Sequence, residues 1–431
     1  MQARATILQA LDAARQAGAD QAMASLTRSE KTELNIDAGR ISLLRTTGNA
    51  NLALTAFTSG RKGAITVNQT SPSAIAAAAS EALRFASAAA PDPANGIAPA
   101  APAQQFSYGP EAPDRAAMYE RLTEFLAYAA RVHPLIKLEQ CCFDFTRSES
   151  LLGNSHGVDF AQSSGLYSFQ VMFTAKDGTR TSSFNYTAAK HRDLAQPLCT
   201  WGGLDALMQQ AAEQLDPRPV SGKFQGEVIF TPHSLSDFVD SIVGVYLGEL
   251  ALIGGTSPWR ERLGQRVGSE RFTLRSLPAS KRIQAGYFFT PDGFAVADAT
   301  LIEQGILRGF QLGLYGSNKT GLPRATTAGG GWIVEPGTTS LAELIAGVER
   351  GLLLCRFSGG SPGDNGDFSG VAKNSYLIEN GKLSHPVSET MLSGNLGNLL
   401  EQVTAVSRDT IDFGSEVYPW VRCGGVTIAG K

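Results

Sequence analysis

The residues Thr32-Glu33-Leu34-Asn35-Ile36 are followed by Asp37-Ala38-Gly39 and then by Arg40-Ile41-Ser42-Leu43-Leu44-Arg45. Two strand-like runs on either side of a short corner that ends in glycine are typical of a β-hairpin. Further strand-like runs follow at 52–57 and 63–68. A helical pattern precedes the hairpin at 7–14, and Ser71 caps another helix after it, with proline at its first position. Residues 1–90 therefore predict an α-β-β-β-β-α unit.

The same order of patterns recurs further along the chain. Asp114 caps a predicted helix that Pro134 stops, and a last helix carries Leu204, Leu207 and Ala211. Between these helices lie four strand-like runs, at 138–146, 158–162, 166–175 and 180–186. The pattern indicates a second α-β-β-β-β-α unit at 114–215, and hence a duplicated arrangement.

A proline-rich stretch separates the two units. Residues 90–113 hold six of the chain's 20 prolines. Proline fixes φ and removes a hydrogen-bond donor, so residues 91–113 predict an extended connector.

The third segment, 222–431, is rich in glycine and reads mostly as β-structure. Its one long helix is predicted to begin at Ser234, in a capping box with Asp237. Two passages, 301–307 and 377–383, each place a two-residue corner ending in glycine between apolar runs, which predicts hairpins. The expected fold class is α+β, with duplicated N-terminal α-β-β-β-β-α units followed by a mostly-β, barrel-like C-terminal domain.

Composition excludes several classes of protein. Lysine and arginine number 37 against 40 acidic residues, a net charge of −3, and no basic block appears, so a nucleic-acid partner is not expected. Five scattered cysteines make no disulfide framework. No signal peptide and no membrane-spanning run is visible, so a cytoplasmic protein without a membrane partner is expected.

No short motif identifies a catalytic centre. The two histidines nearest in sequence, His133 and His156, are 23 residues apart, and HExxH and HExxxH are both absent. A metal site built from distant residues stays open. Residues 359–363 match GxSxG as a string, but Pro362 lacks the backbone N–H that an oxyanion hole needs after the serine. Cys423 follows Arg422, which favours a thiolate, although packing in the core is the preferred interpretation.

Glycine-rich loops in the third segment are candidate contacts for a peptide or a partner. Glycine lets another backbone approach closely, and tryptophan is enriched at the centres of interfaces. The alternative is that the two tryptophans fill the core. The candidate contact residues are Trp259, Gly330, Trp332, Asp367 and Phe368.

The third segment resembles the C-terminal domain of the TldD/PmbA family, once called modulators of DNA gyrase. The resemblance is carried by Gly366-Asp367-Phe368-Ser369-Gly370, by 376–383 with Pro386-Val387, and by the ending at 423–431. In segment one, Gly39-Arg40, Gly60-Arg61 and Gly63-Ala64 are similar to the family's first domain.

The resemblance implies one of two kinds of chain. TldD-like members carry HExxxH and a distant cysteine and bind zinc, whereas TldE members, also named PmbA, lack the histidine motif and pair with a TldD-like chain. Such a pair resembles a cytoplasmic protease for unfolded peptides. Where that motif opens the long helix, this chain has His233 without a neighbouring glutamate or second histidine, followed by Asp237. With Cys423 these two residues mark a vestigial motif region, and no catalytic or metal-ligating residue is carried over.

Three hypotheses follow. The first is a TldE-like subunit that binds no cofactor itself, is inactive alone and helps to hold a peptide, while its HExxxH partner supplies the zinc. The second is a homodimeric peptide-binding or scaffolding protein without protease activity. The third is a self-sufficient hydrolase with a site scattered over His233, Asp237 and Cys423.

Overall fold

The protein, seen in a computed structural model that describes residues 2–37 and 39–430, has the predicted mixed α+β fold. Among these residues, no helix is long and apolar enough to cross a membrane. A 3₁₀ segment, Leu198–Gly203, precedes α4, and a π-helical turn, Val243–Leu247, follows α5. The α-helices are α1 Gln2–Ala17, α2 Pro72–Ala88, α3 Arg115–Val132, α4 Leu204–Glu213, α5 Pro232–Ile242, α6 Glu249–Gly254, α7 Leu314–Thr320, α8 Leu341–Ala346 and α9 Leu396–Glu401.

The N-terminal half forms one eight-stranded sheet. Its central order is β3-β2-β1-β5-β6-β4, and β7 and β8 also pair with β6. The strands β1 and β5, one from each predicted unit, pair antiparallel from Met23↔Asn154 to Ile36↔Cys141. The two units therefore share one sheet. The strands are β1 Gln21–Asp37, β2 Arg40–Thr58, β3 Arg61–Val67, β4 Gln104–Tyr108, β5 Ile136–Asn154, β6 Asp159–Asp177, β7 Arg180–Thr181 and β8 Asn185–His191.

Side-chain alternation places the four N-terminal helices on one face of this sheet. Every second residue of β1 is directed to that face: Leu26 packs in the core with α1 and α2, and Leu34 in the core with α3 and α4. The opposite face is largely polar, with buried Glu33 paired to Lys31 and Arg45. At one end of the sheet this second face is covered as well, because Leu152 and Phe160 pack against Phe289 of the third segment.

The first unit differs from the prediction in its strand count. The runs at 40–45 and 52–57 belong to a single strand, β2, so the unit has three strands. Likewise, the runs at 158–162 and 166–175 are both part of β6. Exposed polar residues in β2, and Ser163-Ser164-Gly165 in β6, interrupt the apolar alternation without interrupting the hydrogen-bonded ladder, which the sequence pattern alone does not reveal. In the predicted hairpin corner, Ala38 lies outside the described residues, as does the closing Lys431.

The connector at 91–113 also takes part in the fold. Its residues Gln104–Tyr108 form β4, which pairs parallel with β6. At its start, Asp92 accepts hydrogen bonds from Tyr315 and Lys319 of the third segment, at 2.9 Å each. A hydrogen-bonded turn at 92–95 follows the first proline, and β4 is the extended part of this stretch.

The third segment forms a fourteen-stranded half-barrel sheet around β22. β22 pairs with β10, β14, β20 and β21, and its apolar side packs against α5 in the largest core. The strands are β9 Arg218–Pro219, β10 Lys223–Phe230, β11 Leu274–Ser276, β12 Ala299–Glu303, β13 Ile306–Leu307, β14 Trp332–Val334, β15 Arg350–Leu354, β16 Arg356–Gly359, β17 Asp367–Lys373, β18 Tyr376–Glu379, β19 Lys382–Ser388, β20 Thr390–Asn395, β21 Val403–Asp412 and β22 Val417–Ala429.

The two predicted hairpins of this segment are confirmed. β12 and β13 turn at Gln304-Gly305, and β18 and β19 turn at Asn380-Gly381. Both residues of each corner have positive φ, between 47° and 76°. Such a turn matches the twist of the flanking strands, and glycine adopts it without strain.

The predicted start of the long helix is wrong by three residues. Thr231 is the N-cap of α5, and its side chain accepts from the backbone N–H of Ser234, while Pro232 occupies the first turn. Proline suits that position because its missing N–H would have no helical partner. The Ser234 hydroxyl instead donates to the carbonyl of Leu354, 2.8 Å away, which attaches the helix to β15.

Candidate functional site

A cleft runs along the exposed side of α5. It consists of two adjoining pockets of about 280 and 150 Å³, and Asp237 lines both. We call it the α5 cleft. The first pocket is lined by Asp237, Phe238, Asp240, Ser241, Phe357, Gly359, Gly360, Ser361, Pro362, Phe368 and Leu396. The second is lined by Asn185, Tyr186, Thr187, Ala188, His233, Ser236, Asp237, Cys355, Arg356, Phe413 and Glu416.

Three aromatic rings form the apolar floor of the first pocket. Phe238 meets Phe357 and Phe368 edge to face, with ring centroids 5.3 and 5.2 Å apart. These side chains fix α5 against β16 and β17. Asp237 and Asp240 are three residues apart on the same helix, so both project on the side that faces the cleft.

A third carboxylate reaches the cleft from the turn between β21 and β22. Glu416 accepts from Ser236 at 2.7 Å and from Tyr418 at 3.1 Å. Burial raises the pKa of Glu416, and the charges of Asp240 and Asp237 raise it further. Burial also raises the pKa of Asp237. The charge of Asp240 raises this pKa further, whereas the charge of Arg356 lowers it. The cleft therefore concentrates negative charge where water solvates it poorly.

Arg356 stands across the cleft from these carboxylates. Its guanidinium donates to the carbonyl of Phe184 at 2.6 Å and lies over the ring of Phe184, 3.9 Å from the centroid. Tyr186 stacks beside that ring, and both aromatic side chains are exposed. Phe184 and Tyr186 belong to the N-terminal sheet region, so the two halves of the molecule build this rim together.

His233 lies at the base of the second pocket as a neutral side chain. Its Nε2 is 2.9 Å from the carbonyl oxygen of Gly202, and because a carbonyl only accepts, Nε2 carries the proton. Thr187 also donates to that carbonyl, at 3.0 Å. Burial lowers the pKa of His233 to about 4, against the raising effect of the Gly202 hydrogen bond.

The candidate motif region does not supply a set of zinc ligands. Nε2 of His233 is a donor, which leaves Nδ1 as its one possible metal-binding atom, and a single ligand does not hold a catalytic zinc. Cys423 is buried within β22, opposite Val228 of β10, and burial raises the pKa of its thiol, which keeps it protonated. Among residues 2–37 and 39–430, no group of three or more histidine, cysteine, aspartate or glutamate side chains is placed to hold a metal ion. Cys423 therefore packs in the core, the interpretation that the sequence favours, and Arg422 pairs with Glu227.

The GxSxG-like string forms a loop above the first pocket. Ser361 is exposed, and residues 359–363 run from the end of β16 into another loop and not into a helix. This agrees with the sequence argument against a nucleophile elbow.

The candidate contact residues divide into buried and exposed positions. Trp259 and Trp332 are 3% and 7% exposed and fill the largest core, the alternative that the sequence left open. Phe368 is buried too and contributes the pocket floor. Asp367 is exposed and accepts from Asn365 and Asn395, which shapes the loop beside the cleft. Gly330 lines neither pocket of the cleft, and its carbonyl accepts from the hydroxyl of Ser276.

Sequence reasoning missed much of the cleft. Of the cleft residues, sequence analysis selects Asp237, His233 and Phe368 and does not select Asp240, Arg356, Asn185 or Glu416. Asp240, three positions after Asp237, is the one feature of the sequence that could have indicated the cleft, because this spacing places two carboxylates on one helix face. Asn185 and Glu416 lie 231 residues apart, and only the folded chain brings them together.

Comparison with known proteins places the chain in a class. Residues 221–430 match the family described as the PmbA/TldA metallopeptidase C-terminal domain. Metalloprotease PmbA of Escherichia coli O157:H7 is 25% identical over 427 residues, covering 95% of this chain and 91% of that protein. The zinc metalloprotease TldD homolog of Saccharolobus solfataricus is 27% identical over 204 residues, covering 44% of this chain and 45% of that protein. The match thus defines a metallopeptidase-family protein.

Solved structures share the whole fold. TldE from Thermococcus kodakarensis superposes with a TM-score of 0.83 at 20% identity, covering 99% of this chain and 100% of that one. A putative modulator of DNA gyrase from Bacteroides thetaiotaomicron gives 0.89 at 22% identity, covering 99% of each. The chain is thus similar over nearly its whole length to proteins of the PmbA/TldD family, and its residues 221–430 match the model of that family's C-terminal domain.

Proposed function

We propose that this chain is the TldE-like subunit of a cytoplasmic two-subunit metalloprotease that acts on unfolded peptides. It binds no catalytic metal, and a TldD-like chain with HExxxH supplies zinc. Its own contribution is a cleft that holds part of the peptide. One observation carries the proposal. His233 lies in the first turn of α5, where the resemblance places the zinc motif, and its Nε2–H donates to the carbonyl of Gly202.

The surroundings of the cleft support a role in holding peptide and not in cleaving it. Asp237 and Glu416 could each act as a general base, and Ser236 donates its hydroxyl to Glu416, but no set of metal ligands stands beside them among the described residues. Exposed aromatic side chains and loop backbone around the cleft are suited to binding an extended chain.

Co-expression with an HExxxH chain of the same family tests this function. Each protein is purified alone and together, its zinc is measured by elemental analysis, and cleavage of an unfolded peptide is followed. We expect zinc and cleavage only where the partner is present. One tightly held zinc per chain and cleavage by this chain alone would overturn the proposal in favour of a self-sufficient hydrolase. Failure of the two chains to associate would favour a homodimeric binding protein.

Two substitutions serve as controls on metal binding. His233→Gln keeps a donor for Gly202, and Cys423→Ala removes a buried thiol. Both variants should leave the zinc content of the complex unchanged. Loss of zinc from the complex in either variant, with folding and association intact, would show that this chain supplies a ligand.

A further inference from the structure

The three carboxylates of the α5 cleft lack basic partners. Asp237, Asp240 and Glu416 influence one another's charge, and among the described residues none forms an ion pair with lysine or arginine. Glu416 receives two hydroxyl donors, from Ser236 and Tyr418. A carboxylate offers about four acceptor positions, so most of the acceptor capacity here is unused by the protein.

Arg356 does not neutralise this group. It is the one lysine or arginine that lines either pocket within the described part of the chain. Its guanidinium donates to the Phe184 carbonyl and lies over the Phe184 ring, and its charge lowers the pKa of Asp237 without forming an ion pair with any of the three carboxylates. Lys373 lies opposite Arg356 in the β16–β17 register but lines neither pocket. Negative charge therefore exceeds positive charge in the cleft.

A buried donor without a partner lies in the same cleft. Asn185 lines the second pocket and is 4% exposed. Its Oδ1 accepts from the backbone N–H of Tyr186 at 3.0 Å, which fixes the orientation of the amide. Its Nδ2 has no hydrogen-bond partner among the described residues. An unpaired buried donor is destabilising, so a ligand that brings an acceptor gains this group as a contact.

We propose that the α5 cleft binds a peptide through a positively charged group, an ammonium or guanidinium placed among Asp237, Asp240 and Glu416, while Asn185 donates to a peptide carbonyl. The inference rests on the proposed function in taking the occupant to be a peptide. An ammonium group brings three donors and a guanidinium five, which matches a cluster of free carboxylate acceptors. A bare metal cation would satisfy the carboxylates but would leave the amide N–H₂ of Asn185 without an acceptor.

Binding of short labelled peptides to the full-length chain, measured by fluorescence anisotropy, tests the proposal. One peptide is N-acetylated and carries a single central lysine. The second replaces that lysine by acetyl-lysine, which keeps the length and removes the charge. The third carries acetyl-lysine and a free N-terminal amine. We expect the lysine peptide to bind about tenfold more tightly than the second, as for a hydrogen-bonded charge pair in a partly desolvated site.

The third peptide identifies the source of the charge. Tight binding of that peptide, with weak binding of the lysine peptide, would support the proposal with the N-terminal amine as the bound group. Equal binding of all three peptides would overturn the charge preference and leave the subunit function standing. No binding of any peptide would overturn the cleft as a peptide site. The association and zinc measurements test the subunit function independently.

Variants locate the effect in the cleft. Asp240→Asn removes one cleft charge, and Glu379→Gln removes one charge from an exposed hairpin corner that lines neither pocket. Only Asp240→Asn should reduce the preference for lysine, whereas an equal reduction by both would indicate a general charge effect and overturn the proposal. Asn185→Ala should weaken the binding of all three peptides alike, with the preference kept. Unchanged affinity in that variant, with an unchanged melting temperature, would refute the carbonyl contact.

Discussion

The pKa and the tautomer of His233 can both be measured directly. Burial lowers its pKa from the usual 6.5 to about 4. At pH 6 an ordinary histidine is about three-quarters protonated, whereas His233 should be protonated in about 1% of molecules. The Gly202 hydrogen bond further requires the proton on Nε2 throughout this range. Nuclear magnetic resonance of the ring nitrogens reports both the pKa and the tautomer.

The same shift predicts a dependence of stability on pH. His233 has a lower pKa when folded than when unfolded, so the unfolded chain binds the extra proton between about pH 6.5 and pH 4, and stability falls as the pH falls through that window. The full effect is about 3 kcal/mol, and about 2 kcal/mol is reached between pH 7.5 and 5. The difference in unfolding free energy between the parent and His233→Gln isolates this contribution from other groups.

The pKa and the hydrogen bond described for His233 can each be contradicted by experiment. His233→Gln assigns the resonance, since the variant lacks that signal and keeps a donor for Gly202. Titration of the assigned ring near pH 6.5, or a proton on Nδ1, would refute the geometry described here. A difference in unfolding free energy that stays constant from pH 7.5 to 5 would refute the linkage.

Three further predictions concern the third segment. Trp259→Ala should lower the free energy of unfolding by about 3–5 kcal/mol in urea denaturation, because the ring is 3% exposed and stacks on Tyr246; a loss below about 1 kcal/mol would contradict its place in the core. Gly414→Ala should lower the free energy of unfolding by at least about 2 kcal/mol, because φ is +85° and the new Cβ would lie 2.0 Å from the Lys190 carbonyl oxygen. The control Gly244→Ala has open space around the new Cβ and should leave the thermal stability unchanged or raise it, as measured by thermal denaturation of both variants. Ser361→Ala should leave peptide cleavage by the two-subunit complex unchanged, because Pro362 removes the oxyanion donor; a loss of about 100-fold with folding intact would show a catalytic role.

Local patterns predicted the local parts of this fold. Asn380-Gly381 identified its hairpin, since the turn chemistry is contained in two residues. The α+β class followed in the same way from periodic apolar residues. The joining of the two N-terminal units could not be predicted, because pairing of β1 with β5 depends on residues more than 100 positions apart. The length of the strands was also underestimated, since the exposed stretch of β2 carries no apolar alternation.

The site was predicted less completely than the fold, for a physical reason. Asp237 and His233 were selected because they occupy the helix start where a family motif was expected. Glu416 and Asn185 carry no sequence signal, since a single acidic or amide residue is usually a solvated surface group. Their significance comes from burial and from the neighbours that the folded chain gives them.

The pairing of β1 with β5 has a consequence for how the chain is made. β1 ends at Asp37, and its partner on one side is complete only when Asn154 has been synthesised. At ~5–20 residues per second, the earlier strand waits for several seconds on the ribosome with one edge unpaired. During this interval the edge is open to wrong strand partners, and contacts of such large sequence separation also slow folding. The nascent N-terminal half is thus exposed to wrong strand pairing for as long as β5 is still being made.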